Sequence, residues 1–199
     1  MDIILGTRNP SKAEQIKAMF KGLPLRVTTL SEAGVEGDAI EDGATLKDNA
    51  FKKALFAHEN TPHGCWAMAE DTGFFINALG GAPGIWAARW AGEKATTNEI
   101  TAHTLELLKN QLDRSATFET VVAIVSPSGQ EHFFTGKVTG QILASPRVPP
   151  QPKMPYSGIF VPEGEHQVWA EMTIEYENRI SHRGQAFRQA RAFFENLIE

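Results

Sequence analysis

The sequence predicts an α/β protein built on a mixed β-sheet, and two observations carry that prediction. In the first half, short apolar runs of strand character alternate with segments of helical periodicity. In the second half, two long β-type runs follow one another across a turn, as a hairpin does. The length of 199 residues suits one domain, or two lobes sharing one sheet, and is enough to bury a proper core.

The elements follow in order. Ile3-Ile4-Leu5 reads as a short buried strand. Pro10 then supplies a fixed φ, and Ser11 with Glu14 matches a capping box, so a helix follows with Ile16, Met19 and Phe20 on its inner face. Leu25 to Thr29 reads as a second strand. A polar stretch rich in Gly, Glu and Asp leads to a helix over about residues 44–59, with Thr45 and Asp48 as its cap. Trp66 to Asp71 reads as a strand that ends in two adjacent carboxylates, Glu70 and Asp71, with Thr72-Gly73 as the break after them. Thr96 and Glu99 start a helix reaching about Leu112. The β-type runs at 117–126 and 131–143 are joined by "SPSG", a turn sequence. A last helix begins at about Ser181, with Phe187, Ala190, Phe194 and Leu197 at helical spacing. One segment is irregular: residues 146–155, "PRVPPQPKMP", hold five of the eleven prolines and cannot join a central ladder. A stiff, extended loop is expected there.

Composition excludes several classes. With 42% hydrophobic and 22% charged residues the chain is ordinary for a globular protein. A net charge of -5 argues against non-specific binding to nucleic acid or to an anionic membrane, while leaving room for a small anion held by a local basic cluster. Cys65 is the only cysteine, so no internal disulfide forms, and a buried apolar role is expected for it. The start "MDIILGTRNPSK" has no basic leader, and no apolar run reaches membrane-spanning length; a cytoplasmic protein is expected.

Four charged constellations stand out. "LGTRNPSK" (5–12) is a strand, a tight polar turn and a helix start. Helix-terminal N–H groups attract phosphate, Lys12 adds a cation, and Thr7 and Asn9 add side-chain donors, although such turns also simply cap helices. The glycine spacing of a P-loop is absent. In "IEDGATLKDNAFKKALFA" (40–57), Asn49 and Lys53 are four apart on one helix face, which spacing alone explains as a solvated face. In "AEDTGFF" (69–75), neighbouring carboxylates on a strand point to opposite faces, so one of them addresses a given site. Carboxylates there call for a cation, and Mg²⁺ with phosphate oxygens completing its shell is one solution; a surface turn is another. "ISHRG" (180–184) gathers Ser181, His182 and Arg183 at a helix start, a natural anion site. A Ser-His hydrolase is disfavoured, because consecutive helical residues cannot make the needed contact.

Taken in this order over nearly the whole chain, the four motifs resemble those of the inosine triphosphate pyrophosphatase family. "TRNPSK" is similar to its phosphate-side turn, "EDGATLKDNAFKKA" to the block carrying Glu41, Asn49 and Lys53, "EDTGFFINALGGAPGIWAARWAG" to its Asp-Asp-Ser-Gly block with Arg89 retained, and "ISHRG" to its Ser-His-Arg signature. The resemblance implies a two-lobed α/β fold over residues 1–199, with a long mixed sheet flanked by helices, a central cleft, and a homodimer. It implies hydrolysis of a nucleoside triphosphate to nucleoside monophosphate and pyrophosphate. Asp71 matches the general base and metal-associated carboxylate, and Glu41 matches a second acid near Mg²⁺. Lys12, Lys53 and Arg183 match cations on the phosphates, and Thr7, Asn9, Asn49, Thr72 and His182 match further substrate contacts. A non-catalytic nucleotide sensor on the same fold is the rival reading, disfavoured by retention of the catalytic carboxylate.

The departures fall on the base-recognition side. Where the family carries Phe-Gly-Tyr-Asp-Pro, this chain reads Met154-Pro155-Tyr156-Ser157-Gly158, and the family's lysine four residues before the Ser-His-Arg serine is Glu177. A donor has become an acceptor, which implies an altered base preference. An alternative leaves Glu177 in solvent, paired with Arg179 or Arg147. Glu70 and Thr72 are milder changes, from Asp and Ser.

Overall fold

The structure, a computed structural model, describes residues 1–62 and 64–198, apart from the side chain of Ser11. The Ser11–Glu14 capping box therefore lies outside the described residues. Two compact units emerge, one of Met1–Asp71, Thr120–Gly136 and His182–Glu199, the other of Thr72–Glu119 and Lys137–Ser181.

In the first unit, β1 (Asp2–Leu5) pairs in parallel with both β2 (Arg26–Thr29) and the start of β3 (Trp66–Ile76). A strand flanked on both edges by parallel partners is buried on both faces, which is why Ile3-Ile4-Leu5 is continuously apolar. Helices α1 (Pro10–Met19), α2 (Leu46–Glu59) and α5 (His182–Ile198) complete this unit. The Thr45 side chain accepts from Asp48 N while Asp48 accepts from Thr45 N, both at 3.1 Å, a capping box worth about 1 kcal/mol. Ile16 and Phe20 of the α1 region meet Phe187, Ala190 and Phe194 of α5, with Phe20 edge-on to both Phe187 and Phe194. Each of the Ile and Phe side chains contributes roughly 1.5–3 kcal/mol when fully buried.

In the second unit, α3 (Thr97–Leu107) begins with a reciprocal Thr96–Glu99 capping box. β4 (Pro83–Gly84) and β7 (Phe160–Pro162) pair antiparallel with β3 and with β6 (Glu131–Ile142), and α4 (Ile174–Ile180) leads to Ser181. The core centres on Phe74, whose ring stands 4.3 Å from those of Phe118 and Tyr156. With β5 (Ser115–Val125), the described strands form a seven-stranded mixed sheet in the order β2-β1-β3-β5-β6-β7, with β4 on β3. The α/β fold with a long mixed sheet is as the sequence predicts.

Several details differ from the sequence reading. β3 does not end at Glu70 and Asp71 but continues to Ile76. Gly73 reads as a breaker, yet it is there for space: a Cβ would stand 2.7 Å from the Phe75 ring and 3.0 Å from the Gly84 carbonyl. α3 stops at Leu107, before Leu112, which is fully exposed; Leu197 is also exposed, and Cys65 is half-buried rather than buried. The proline-rich run is not extended. It folds back on itself, with Arg147 N donating to Gly158 O and Met154 N to Gln151 O. No helix among the described residues is long and apolar enough to cross a membrane.

Candidate active site

The charged motifs of the first unit converge. β3 runs beside β1, which places Glu70 and Asp71 near the turn that follows β1 and enters α1. Lys12, in the first turn of α1, puts Nζ 2.5 Å from Glu70 Oε1. Arg183, in the first turn of α5, brings its guanidinium to 3.7 Å from the same oxygen and donates to Gln15 at 3.2 Å. Neither helix has an acidic residue in its first turn. Two cations thus sit at the positive ends of two helix dipoles, an unfavourable placement unless an anion is shared between them. Glu70 is one such anion. The Nε of Arg183 is buried without a hydrogen-bond partner.

The neighbouring carboxylate has its own cation. Lys53, from α2, places Nζ 2.6 Å from Asp71 Oδ1 and 3.4 Å from Glu41. Asp71 Oδ2 is buried and has no hydrogen-bond partner. Asn49 does not face solvent: it is buried, and its Oδ1 accepts from Gly43 N at 2.8 Å, tying the loop before α2 to the helix. Lys53 likewise turns inward. The solvated-face reading of this pair is thus overturned. It failed because the partners, Gly43 and Asp71, are not visible in helical spacing.

Electrostatics separate the two carboxylates. Burial opposes ionisation of Glu70, but Lys12, Arg183 and Lys53 outweigh it and hold the carboxyl well below its usual range. For Asp71 burial wins: together with Glu70 and Glu41 it overcomes Lys53, and the pKa is raised. Lys53 is pulled down by burial but more strongly held up by Asp71, Glu70 and Glu41, so it stays charged. His182 is buried, its Nδ1 2.7 Å from Thr120 Oγ1. Burial, then Arg183, pushes its pKa well below 6.5, and the ring is neutral.

A cavity of about 230 Å³ is lined by Thr7, Arg8, Lys12, Glu41, Lys53 and Glu70 among others, whereas Asp71 and Arg183 are not among its lining residues. Thr7 Oγ1 accepts from Asn9 N at 3.2 Å, and Asn9 Oδ1 accepts from Lys12 N at 3.4 Å, so both side chains shape the turn. The donor set is all carboxylate oxygen, the chemistry of a hard dication, and the partnerless Asp71 Oδ2 fits such an ion. Among the described residues no group of three His, Cys, Asp or Glu is assembled as a metal cage.

The base-side candidates lie in the second unit, and they are built into its packing. Tyr156 is buried, and its hydroxyl donates to Ala87 O at 2.8 Å. Ser157 is buried; its Oγ donates to Met154 O and accepts from Gln151 N, at 2.7 and 2.8 Å. Met154 is half-buried, and Thr72 continues β3. Glu177 is buried in α4, not turned to solvent, and Arg147 pairs instead with Glu171 at 3.3 Å. Sequence reasoning passed over two residues in its own motifs. Glu70 was read as a mild change although it anchors two cations, and Arg8, inside "TRNPSK", was given no role. The signal for Glu70 is its place directly after the apolar run Trp66–Ala69.

Comparison with known proteins identifies the family. The model of the Ham1 family matches residues 3–193. A dITP/XTP pyrophosphatase of Caldanaerobacter subterraneus subsp. tengcongensis is 35% identical, over 99% of this chain and 98% of its own. The solved HAM1 protein from Coxiella burnetii superposes with a TM-score of 0.88 at 32% identity, covering 98% of this chain and 99% of that one. The Staphylococcus aureus Ham1 structure gives a TM-score of 0.86 at 29% identity, with 98% and 99% covered. The family model and these relatives span nearly the whole chain, and the chain belongs to the Ham1 family.

Proposed function

We propose that the protein is a Mg²⁺-dependent nucleoside triphosphate pyrophosphohydrolase, releasing a nucleoside monophosphate and pyrophosphate. One observation carries the reading: Lys12 and Arg183, from the first turns of two helices, meet at Glu70 beside the Lys53–Asp71 pair. The curated relatives named dITP/XTP pyrophosphatase support the reaction type, while the base preference given below rests on Glu177 alone.

Three cations, Lys12, Lys53 and Arg183, stand against three carboxylates, Glu41, Glu70 and Asp71, so this cluster alone has little net pull on a triphosphate. Asp71 and Glu41 would hold the Mg²⁺. When bound, the ion adds positive charge beside the phosphates and makes nearby water more acidic. Asp71, whose pKa burial raises, serves as general base toward water aimed at the α-phosphorus. Lys12, Lys53 and Arg183 stabilise charge on the phosphate oxygens, and the Arg183 Nε is a donor already in place for one of them. Thr7 and Asn9 shape the phosphate-side turn, Asn49 braces the loop carrying Glu41, and neutral His182 orients the start of α5.

The base side is assigned to Thr72, Met154 and Glu177, with Tyr156 and Ser157, whose hydroxyls are engaged by Ala87 O, Met154 O and Gln151 N, shaping its wall. Glu177 is a buried acceptor, so it favours a base presenting amino or ring N–H donors over the 6-oxo face of inosine or xanthosine. Residues 1–199 are read as one catalytic domain, in keeping with the family model that matches residues 3–193. A cytoplasmic homodimer completes the reading.

Pyrophosphate release across a panel of nucleotides, with and without Mg²⁺, tests the proposal. Turnover that needs Mg²⁺ supports it. Binding without turnover of any nucleotide would mean a sensor instead. Glu177→Lys tests the base assignment: a gain on inosine triphosphate relative to the preferred nucleotide is expected, and an unchanged profile removes Glu177 from base reading.

A further inference from the structure

The loop between β2 and α2, which carries Glu41, contains no helix or strand of its own between residues 35 and 45. A loop of that kind needs side chains to hold it, and one side chain dominates. Arg8 Nε donates to Asp38 Oδ1 at 2.7 Å and to Gly37 O at 3.1 Å. Its Nη2 donates to Val35 O at 2.8 Å and also to Gly37 O, while Nη1 reaches Ser31 Oγ at 3.4 Å. Gly37, at φ 79, takes the left-handed turn that lets its carbonyl join that of Val35 on one guanidinium. The far end of the loop is held by Asn49 at Gly43 N. Glu41 lies between these two anchors, 3.4 Å from Lys53.

Arg8 stands between Thr7 and Asn9 and lines the same cavity, so a direct phosphate contact is the obvious role for it. The geometry argues otherwise. All three guanidinium nitrogens already donate to loop acceptors, and a fork with several fixed donors is what such a clasp requires.

We propose that Arg8 is a positioning residue: it clasps residues 31–38 so that Glu41 is presented to the metal ion and triphosphate. This rests on the role given to Glu41 above. Lysine keeps the charge at this position but cannot reach four acceptors, and removing Asp38 takes away one of them.

The test uses the full chain as wild type, Arg8→Ala, Arg8→Lys, Asp38→Ala and the Arg8→Ala/Asp38→Ala double variant. The first readout is amide hydrogen exchange without nucleotide or metal. Both Arg8 variants should speed exchange across 31–43 while β1 amides stay protected. The second readout is the Mg²⁺ concentration giving half-maximal pyrophosphate release. Arg8→Ala should raise it about 10–100-fold, the usual cost of losing a group that orients a metal ligand, with kcat at saturating Mg²⁺ largely kept. Asp38→Ala should shift both in the same direction, and the double variant should be no worse than Arg8→Ala alone, because the two residues act as one unit. Unchanged exchange in Arg8→Ala, with a raised nucleotide KM that Arg8→Lys restores, would overturn the proposal in favour of a direct phosphate contact. Additive effects in the double variant would overturn it as well. Absence of turnover in the wild type would count against the proposed function, whereas the exchange readout would still decide on the clasp.

Discussion

The charged cluster of the first unit and the Met154–Gly158 segment of the second were both drawn from family motifs, yet they are held in opposite ways. In the first, polar side chains pair with each other: Lys12 with Glu70, Lys53 with Asp71, Arg183 with Glu70. In the second, polar groups are tied to the backbone: Tyr156 to Ala87, Ser157 to Met154 and Gln151. A cluster of mutually paired charges can exchange partners when an anion and a cation arrive together. A segment stitched to its own main chain keeps its shape. Substitution of Asp71 should therefore alter chemistry, while substitutions in the second region should alter stability or fit.

The largest expected effect is at Asp71. Asp71→Asn should lower turnover by about 10²–10⁴-fold, the typical cost of losing a general base. It should leave folding intact, since burial already disfavours the charged form that Asn replaces. Near-normal turnover in Asp71→Asn would move the base to another carboxylate.

Glu70→Gln comes next, and it tests whether this carboxylate is structural. It leaves Arg183 buried without its anion, and a loss of about 3 kcal/mol is expected, since breaking a buried ion pair exposes the remaining charge's desolvation cost. Denaturant titration measures it; a loss under about 0.5 kcal/mol would place Glu70 among surface pairs.

Tyr156→Phe should be smaller, about 1 kcal/mol in stability, because only the hydroxyl donated to the Ala87 carbonyl disappears. With ring packing preserved, kcat should hardly move. A large fall in kcat with little change in stability would mean that Tyr156 touches substrate.

The last effect is pH-dependent. His182 has a folded pKa below its unfolded value of about 6.5, so its contribution to stability is complete above that pH. As pH falls below it, the unfolded state takes up the proton first and stability drops, by at most about 1.4 kcal/mol per pH unit. His182→Gln should flatten stability between about pH 6.5 and 5. An unchanged slope would assign the acid loss to other groups.

Legibility in the sequence followed the range of the interaction. The capping boxes at Thr45–Asp48 and Thr96–Glu99 close over three residues, and both were read correctly. β1 and the aromatic face of α5 announce themselves by apolar spacing, with only Leu197 misjudged. The continuation of β3 through Gly73 was missed, because that glycine makes room for the Phe75 ring and for the Gly84 carbonyl of β4, eleven residues on. The burial of Asn49 was missed because Gly43 lies in an irregular loop, and Arg8 because its acceptors are 23 to 30 residues away. In the site, motif order pointed to Lys12, Lys53, Asp71 and Arg183. Which cation pairs with which carboxylate depended on register between β1 and β3, and no local pattern encodes it.

The central claim is that the charged cluster of the first unit directs water to the α-phosphorus. Hydrolysis in heavy-oxygen water, with products separated and weighed by mass spectrometry, tests it most directly. The account predicts label in the nucleoside monophosphate and none in pyrophosphate. Label in pyrophosphate, or release of orthophosphate and nucleoside diphosphate, would contradict it.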